Sequence, residues 1–184
     1  MKPTDTLKTE HKAIQTMLSI LEKMCVQLET EKPVPAEHLE QSLDFFKGFA
    51  DKCHHMKEED LLFPAMNQIG FPKEMGPIAV MLHEHTSGRN FIKQMTDAVS
   101  NYKSGNSNAS KNFISAGRNY ISLLTEHIEK ENNILFEMAD MHLTDVQQNF
   151  LEKEFHRVEY EIIGANTHDK YHQLLDGLKN IYLQ

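Results

Sequence analysis

The sequence predicts an all-α chain, an antiparallel up-down-up-down four-helix bundle with one or two extra C-terminal helices. Three observations carry this. Apolar residues recur at alternating spacings of four and three along long segments. Short breaks rich in Pro, Gly, Ser and Asn separate those segments, and no stretch alternates convincingly as a strand would. Short connections make neighbouring helices antiparallel. Residues 1–141 read as the bundle, and 142–184 as a helical extension packed on it within the same domain.

Thr4 or Asp5 is placed to cap a first helix running to about Glu29, with the seam Leu7, His11, Ile14, Leu18, Leu21, Cys25, Leu28. Lys32-Pro33-Val34-Pro35 breaks it, and Pro35 suits the first turn of the next helix, which runs to about Ile69. At about 100° per residue, Leu43, Ala50, Leu61, Ala65 and Glu58 fall on the same side as His54. His55 and Glu59 fall toward the rim or solvent. Gly70-Phe71-Pro72 and Gly76-Pro77 form a turn-rich linker. The third helix, about Pro77 to Tyr102, has a seam through Ile78, Met81 or Leu82, His85, Gly88, Ile92, Met95 and Val99, with His83 on the opposite, solvated side. Ser104 to Asn108 is the most loop-like segment. The fourth helix, about Ala109 to Met141, carries Phe113, Gly117, Tyr120, Leu124, His127, Glu131, Ile134 and Met138. Thr144 with Gln147 reads as a capping box opening a fifth helix to about Ile163. Gly164-Ala165-Asn166 ends it, and Thr167 caps a short last helix to about Leu183.

One stretch occurs twice. CHHMKEEDLLFPAM at Cys53–Met66 aligns with EHIEKENNILFEMA at Glu126–Ala139, 73 positions later. His54 falls on His127, Lys57 on Lys130, Glu58 on Glu131, Leu62 on Leu135 and Phe63 on Phe136. Residues four apart share a helix face, so each copy directs an imidazole and a carboxylate the same way. In an antiparallel bundle, residues equidistant from a connecting loop share a level. The midpoint of His11 and His54 falls in the Lys32–Pro35 break, that of Glu58 and His85 in the Gly70–Pro77 linker, and that of His85 and the His127/Glu131 pair in the Ser104–Asn108 loop. His11, His54, Glu58, His85, His127 and Glu131 are therefore expected in one layer of the core.

Two carboxylates buried without a cation cost several kcal/mol and repel one another. No seam position at this level carries Lys or Arg. A pair of di- or tripositive metal ions offsets the charge and uses these donors as ligands. Imidazole with carboxylate suits iron, manganese or zinc, and two carboxylates placed to bridge suggest two ions. The alternative is that the histidines are hydrogen-bonded core residues and the carboxylates lie at the rim. The Glu-x-x-His step of ferritin-like bundles is absent from the seams.

A formal charge of −8 argues against nucleic acid and anionic membranes as partners. There is no membrane-length apolar run and no secretory leader, so a cytoplasmic location is expected. Cys25 and Cys53 lack metal-type spacing and read as reduced core thiols.

The Glu10-His11 helix start, HHMKEEDLLFP at His54–Pro64, HEHTSGR at His83–Arg89 and EHIEKENNILF at Glu126–Phe136 together resemble the hemerythrin family, in its bacterial and archaeal single-domain HHE cation-binding branch. The resemblance covers roughly residues 5–141. It implies a four-helix bundle holding a non-haem di-iron centre (Fe2+/Fe3+), with His11, His54, His85 and His127 as terminal ligands. Glu58, Glu131 and an oxo or hydroxo group would bridge the irons. The oxygen-carrying members have a further histidine four residues before the one matching His85; here Met81 stands there. That loss either opens a coordination position or recruits another donor, for which His168, Glu161 and His156 in the tail are candidates.

The resulting expectation is a di-iron protein that binds O2 or a related small oxidant, such as peroxide or nitric oxide, for sensing, storage or transport. The alternatives are a di-iron oxidase, peroxidase or nitric-oxide-related iron-repair enzyme, and an iron or zinc storage or structural metal bundle. The sequence names no protein partner.

Overall fold

A computed structural model describes residues 2–184, which form six helices and, among the described residues, no strand. They are α1 (Pro3–Glu29), α2 (36–68), α3 (Gly76–Lys103), α4 (109–142), α5 (145–164) and α6 (Ala165–Tyr182). Helix α1 starts earlier than its expected cap. Pro3 supplies a preset φ in the first turn, and the Lys2 N–H donates to Asp5 at 2.9 Å. Thr4 is buried and donates to Asp140 at 2.7 Å, tying α1 to the end of α4. Glycines at positive φ make the later turns: Gly70 (105°), Gly76 (74°) and Gly105 (76°). The capping box of α5 forms as expected, with Thr144 N–H donating to Gln147 at 2.9 Å. Between α5 and α6 only Gly164, at φ 96°, breaks the path. Helix α6 begins at Ala165, two residues before the expected Thr167 cap.

Helices α2 and α4 are not uniform. In α2, wide i→i+5 turns run over Phe46–His55 and Glu58–Leu62, with ordinary α-helix before and after. In α4 a wide turn runs over Glu131–Leu135. The two short wide turns, Glu58–Leu62 and Glu131–Leu135, sit at the same place in the repeat. A wide turn holds an extra residue, so the inward face advances by about one position. This accounts for two departures from the expected seams. Leu61 and Ala65 are only partly buried, and Leu62, Phe63 and Met66 take the core. Ile134 is exposed and Met138 half-buried, and Leu135, Phe136 and Ala139 replace them.

The apolar core is divided in two. One cluster holds Leu21, Met24, Phe45, Phe46, Met95, Phe113 and Tyr120. The other holds Leu7, Phe63, Met66, Ile78, Met81, Phe136 and Leu151. The tail closes both: Leu175, Leu178 and Tyr182 of α6 join the first, and Leu151 and Phe155 of α5 the second. On α2, Gly48 lets the tail approach, because a Cβ there would lie 1.7 Å from the Tyr171 hydroxyl. Gly48→Ala is expected to destabilise the protein by about 1–3 kcal/mol by displacing Tyr171, measured by urea unfolding. Between the two clusters lies a polar layer.

Candidate metal centre

The layer contains the six residues singled out in the sequence: His11 from α1, His54 and Glu58 from α2, His85 from α3, and His127 and Glu131 from α4. All are at most 1% exposed. The two carboxylates lie across the middle and divide the imidazoles into pairs. Glu131 Oε2 lies 3.1 Å from His11 Nε2, and Glu58 Oε1 lies 3.4 Å from His54 Nε2. The other oxygens face the opposite pair, with Glu58 Oε2 3.4 Å from His85 Nε2 and Glu131 Oε1 3.3 Å from His127 Nε2. Each carboxylate thus offers one oxygen to either half of the layer.

Every ring is fixed from outside. His11 Nδ1–H donates to Asn132 at 2.8 Å, His54 Nδ1–H to Glu10 at 2.8 Å, His85 Nδ1–H to Glu59 at 2.6 Å and His127 Nδ1–H to Glu84 at 2.9 Å. An ionised carboxylate, like the Asn132 amide oxygen, only accepts, so the proton sits on Nδ1 and the Nε2 lone pair points inward. This is how histidine ligands are usually oriented around a metal. Burial, with neighbouring imidazoles, pushes the His54 imidazole well below its usual range and keeps it neutral.

The outer contacts obey the repeat. Glu10-His11 and Glu84-His85 are the same dipeptide on α1 and α3. Glu10 holds His54 and pairs with Lys57; Glu84 holds His127 and pairs with Lys130. Glu59 and Asn132, 73 positions apart, hold His85 and His11. Phe136 stacks on His11 and Phe63 on His85. The 73-residue spacing that marks the inner residues could have identified Glu59 with Asn132, Lys57 with Lys130 and Phe63 with Phe136, but not Glu10 and Glu84, which lie outside the repeated stretch.

Without a cation the layer is unfavourable. His11 Nε2 and all four oxygens of Glu58 and Glu131 are buried with no hydrogen-bond partner. His85 Nε2 and His127 Nε2, both lone pairs, face each other at 3.1 Å. Among the described residues no Lys or Arg pairs with Glu58 or Glu131. Burial and the neighbouring Glu131 carboxylate push the Glu58 carboxyl well above its usual range. Two nitrogen or oxygen donors each about 2.1 Å from one ion, at right angles, lie about 3 Å apart. The observed separations of 3.1 to 3.4 Å match that spacing. The donor set fits metal ions.

One residue was misplaced by the sequence reading. His55, expected at the rim, is 5% exposed and lies against His85 with ring centroids 3.9 Å apart. The wide turns over Phe46–His55 reduce the angle between successive residues, so both His54 and His55 reach inward. Ligand atoms of His55, Glu58, His85 and His127 all lie within 4.8 Å of one another, as do those of His11, His54, Glu58 and Glu131. The tail donors are elsewhere. His156 and Glu161 are exposed, and His168 lies beside Glu10 and Glu159, behind His54. Lys57 already pairs with both of those carboxylates. Met81 packs in the second apolar cluster. Cys53 is buried, and burial pushes its thiol up to about 12, so it offers no thiolate. No helix is long and apolar enough to cross a membrane among the described residues.

A family model described as the hemerythrin HHE cation binding domain matches residues 2–139. The chain is similar to the iron-sulfur cluster repair protein YtfE of Pectobacterium atrosepticum, at 39% identity over 89 residues, covering 47% of this chain and 40% of that one. It is 31% identical over 125 residues to the YtfE of Edwardsiella ictaluri, covering 66% and 56%. The iron-sulfur cluster repair protein DnrN of Neisseria gonorrhoeae is 35% identical over 86 residues, covering 45% and 54%. The matches thus span between 40% and 56% of these relatives' lengths. No solved structure matches the chain.

Proposed function

Because this chain belongs to the hemerythrin HHE cation-binding family, we propose that its polar layer holds a pair of iron ions and that the protein serves iron–sulfur cluster repair. His11 and His54 would hold one ion and His85 and His127 the other, with Glu58 and Glu131 shared. The observation that carries this is the set of unpartnered buried donors, His11 Nε2 and the four oxygens of Glu58 and Glu131. Nitrogen and oxygen donors without thiolate suit iron, and they yield ferrous iron to a thiolate-lined cluster site more readily than sulfur donors would. The repair role itself is favoured by the names of the relatives.

When bound, the iron supplies redox chemistry and a store of ferrous ion. The chain does the rest. Glu10, Glu59, Glu84 and Asn132 hold the imidazole protons outward and the lone pairs inward. Phe63 and Phe136 cover His85 and His11 and keep water from that side. Lys57 and Lys130 balance the charge of Glu10 and Glu84.

The test is iron content per chain, followed by incubation of the loaded protein with an oxidatively damaged [4Fe–4S] dehydratase. Two irons per chain and recovery of dehydratase activity beyond an equal dose of free ferrous ion are expected. Recovery no greater than with free iron would overturn the repair role, and zinc alone in protein from native cells would overturn the iron pair.

A second reading, binding of O2 or a related small oxidant, is favoured by a cavity of about 390 Å³ beside the layer, lined by Phe46, Ile92 and Tyr120 together with the charged Asp51, Arg89 and Lys93, with His55 in its wall. It expects the aerated ferrous protein to develop near-ultraviolet and visible absorption that fades on deoxygenation. An unchanged spectrum counts against it.

A further inference from the structure

We propose that His55 is a fifth imidazole ligand of this centre, bound at the position of His85 and His127, which makes the two metal positions unequal and leaves the open one beside His11 and His54. This rests on the paired-iron reading above and adds to it a ligand and a place where a small molecule binds.

The argument begins with the repeat. The inner and outer contacts of the layer occur twice, once in each half, but His55 breaks the pattern. Its counterpart 73 residues later is Ile128, which is buried as an ordinary apolar residue. Packing alone would be served equally well by an isoleucine at both places. An imidazole at 5% exposure instead brings two nitrogens to the edge of the layer, where a partner for each is favourable.

One of the two is accounted for. His55 Nδ1–H donates to Asp51 at 3.3 Å. Asp51 is gripped by Arg89 at 2.8 Å, and Arg89 also reaches Glu59, the residue that orients His85, at 2.7 Å. One guanidinium therefore fixes the carboxylates behind both His55 and His85. This leaves His55 Nε2 in the arrangement shown by the other four imidazoles, with the proton outward and the lone pair free.

The ring stands against the second half of the layer, within 18° of parallel to His85 and edge-on to His127, with centroids 3.9 and 5.9 Å away. Its ligand atom lies within 4.8 Å of those of Glu58, His85 and His127. Adjacent residues on a wide turn serve the two positions separately, His54 the first and His55 the second. The count is then two imidazoles and two carboxylate oxygens at the first position, against three imidazoles and two oxygens at the second. A small neutral ligand such as nitric oxide is directed to the first.

The test uses the full chain. Metal-free protein is titrated anaerobically with ferrous ion, and the loaded protein is then titrated with nitric oxide under spectroscopic observation. Wild type is expected to take two irons and one nitric oxide per chain. His55→Gln and His55→Ile should bind one iron as wild type does and the other at least tenfold more weakly. At saturating iron they should take two nitric oxides. His55→Ile copies the residue of the other half, and His55→Gln keeps a polar group of similar size should the isoleucine prevent folding. Two irons bound within threefold of the wild-type affinities, with one nitric oxide, would overturn the proposal and leave His55 a packing residue. A wild type that does not take two irons would instead overturn the paired-iron reading.

Discussion

Glu58→Gln is expected to stabilise the metal-free protein and to destabilise the iron-loaded one. The reversal follows from the burial of Glu58, which is 0% exposed with neither oxygen hydrogen-bonded. In the metal-free state burial and the neighbouring Glu131 oppose ionisation, so folding forces this carboxyl to hold a proton it loses in the unfolded chain; a neutral amide escapes that penalty and gains about 1–3 kcal/mol. In a chain of this length, each kcal/mol moves the melting temperature by about 2–4 °C. With iron bound, the proposed role of the same carboxylate is that of a shared ligand. Binding at a thousand times Kd contributes about 4 kcal/mol to stability, and the variant loses much of that through weakened affinity. Paired thermal melts of chelator-treated and iron-loaded protein check both signs. Destabilisation of the metal-free protein by Glu58→Gln would mean that the carboxylate has a protein partner, and that the layer is a hydrogen-bonded core rather than a metal centre.

The six inner residues were legible in the sequence because they obey local rules. His54 and Glu58, like His127 and Glu131, are four apart on one helix, and the loop midpoints place all four helices at one level. What was not legible arises from departures in helix geometry and from contacts between helices. A constant step of 100° cannot anticipate the wide turns at Glu58–Leu62 and Glu131–Leu135, so it put Leu61 and Ile134 inside in place of Leu62 and Leu135. The same assumption sent His55 to the rim. The pairing of His54 with Glu10, 44 positions away, depends on how α1 packs against α2, which periodicity along either helix does not fix. The apolar pairs Leu62-Phe63 and Leu135-Phe136 did carry the correct register, because the repeat compares like with like whatever the helix pitch.

The two lysines of the repeat test how far that equivalence extends. Lys57 and Lys130 hold the same motif position and perform the same pairing, with Glu10 and Glu84 respectively. Their surroundings differ because the tail covers only one of them. Glu159 of α5 adds a second carboxylate to Lys57, and Phe155 lies under its ammonium at 5.8 Å, so Lys57 is 0% exposed. The Lys130 side chain remains 36% exposed. Lys57→Met leaves Glu10, 5% exposed, facing the partly exposed Glu159 without a cation and is expected to cost about 3 kcal/mol, the low end for a buried pair. Lys130→Met breaks a solvent-screened pair and should cost less than about 1 kcal/mol. Urea unfolding of the metal-free proteins measures both. If burial of the orphaned carboxylates is the cause, adding Glu159→Gln to Lys57→Met restores part of the loss, because one uncompensated charge is removed. Equal small losses for the two lysines would show that Glu159 stays solvated and that the tail does not seal this side of the bundle. A large loss left unrelieved by Glu159→Gln would place the cost in Lys57 packing instead of its charge.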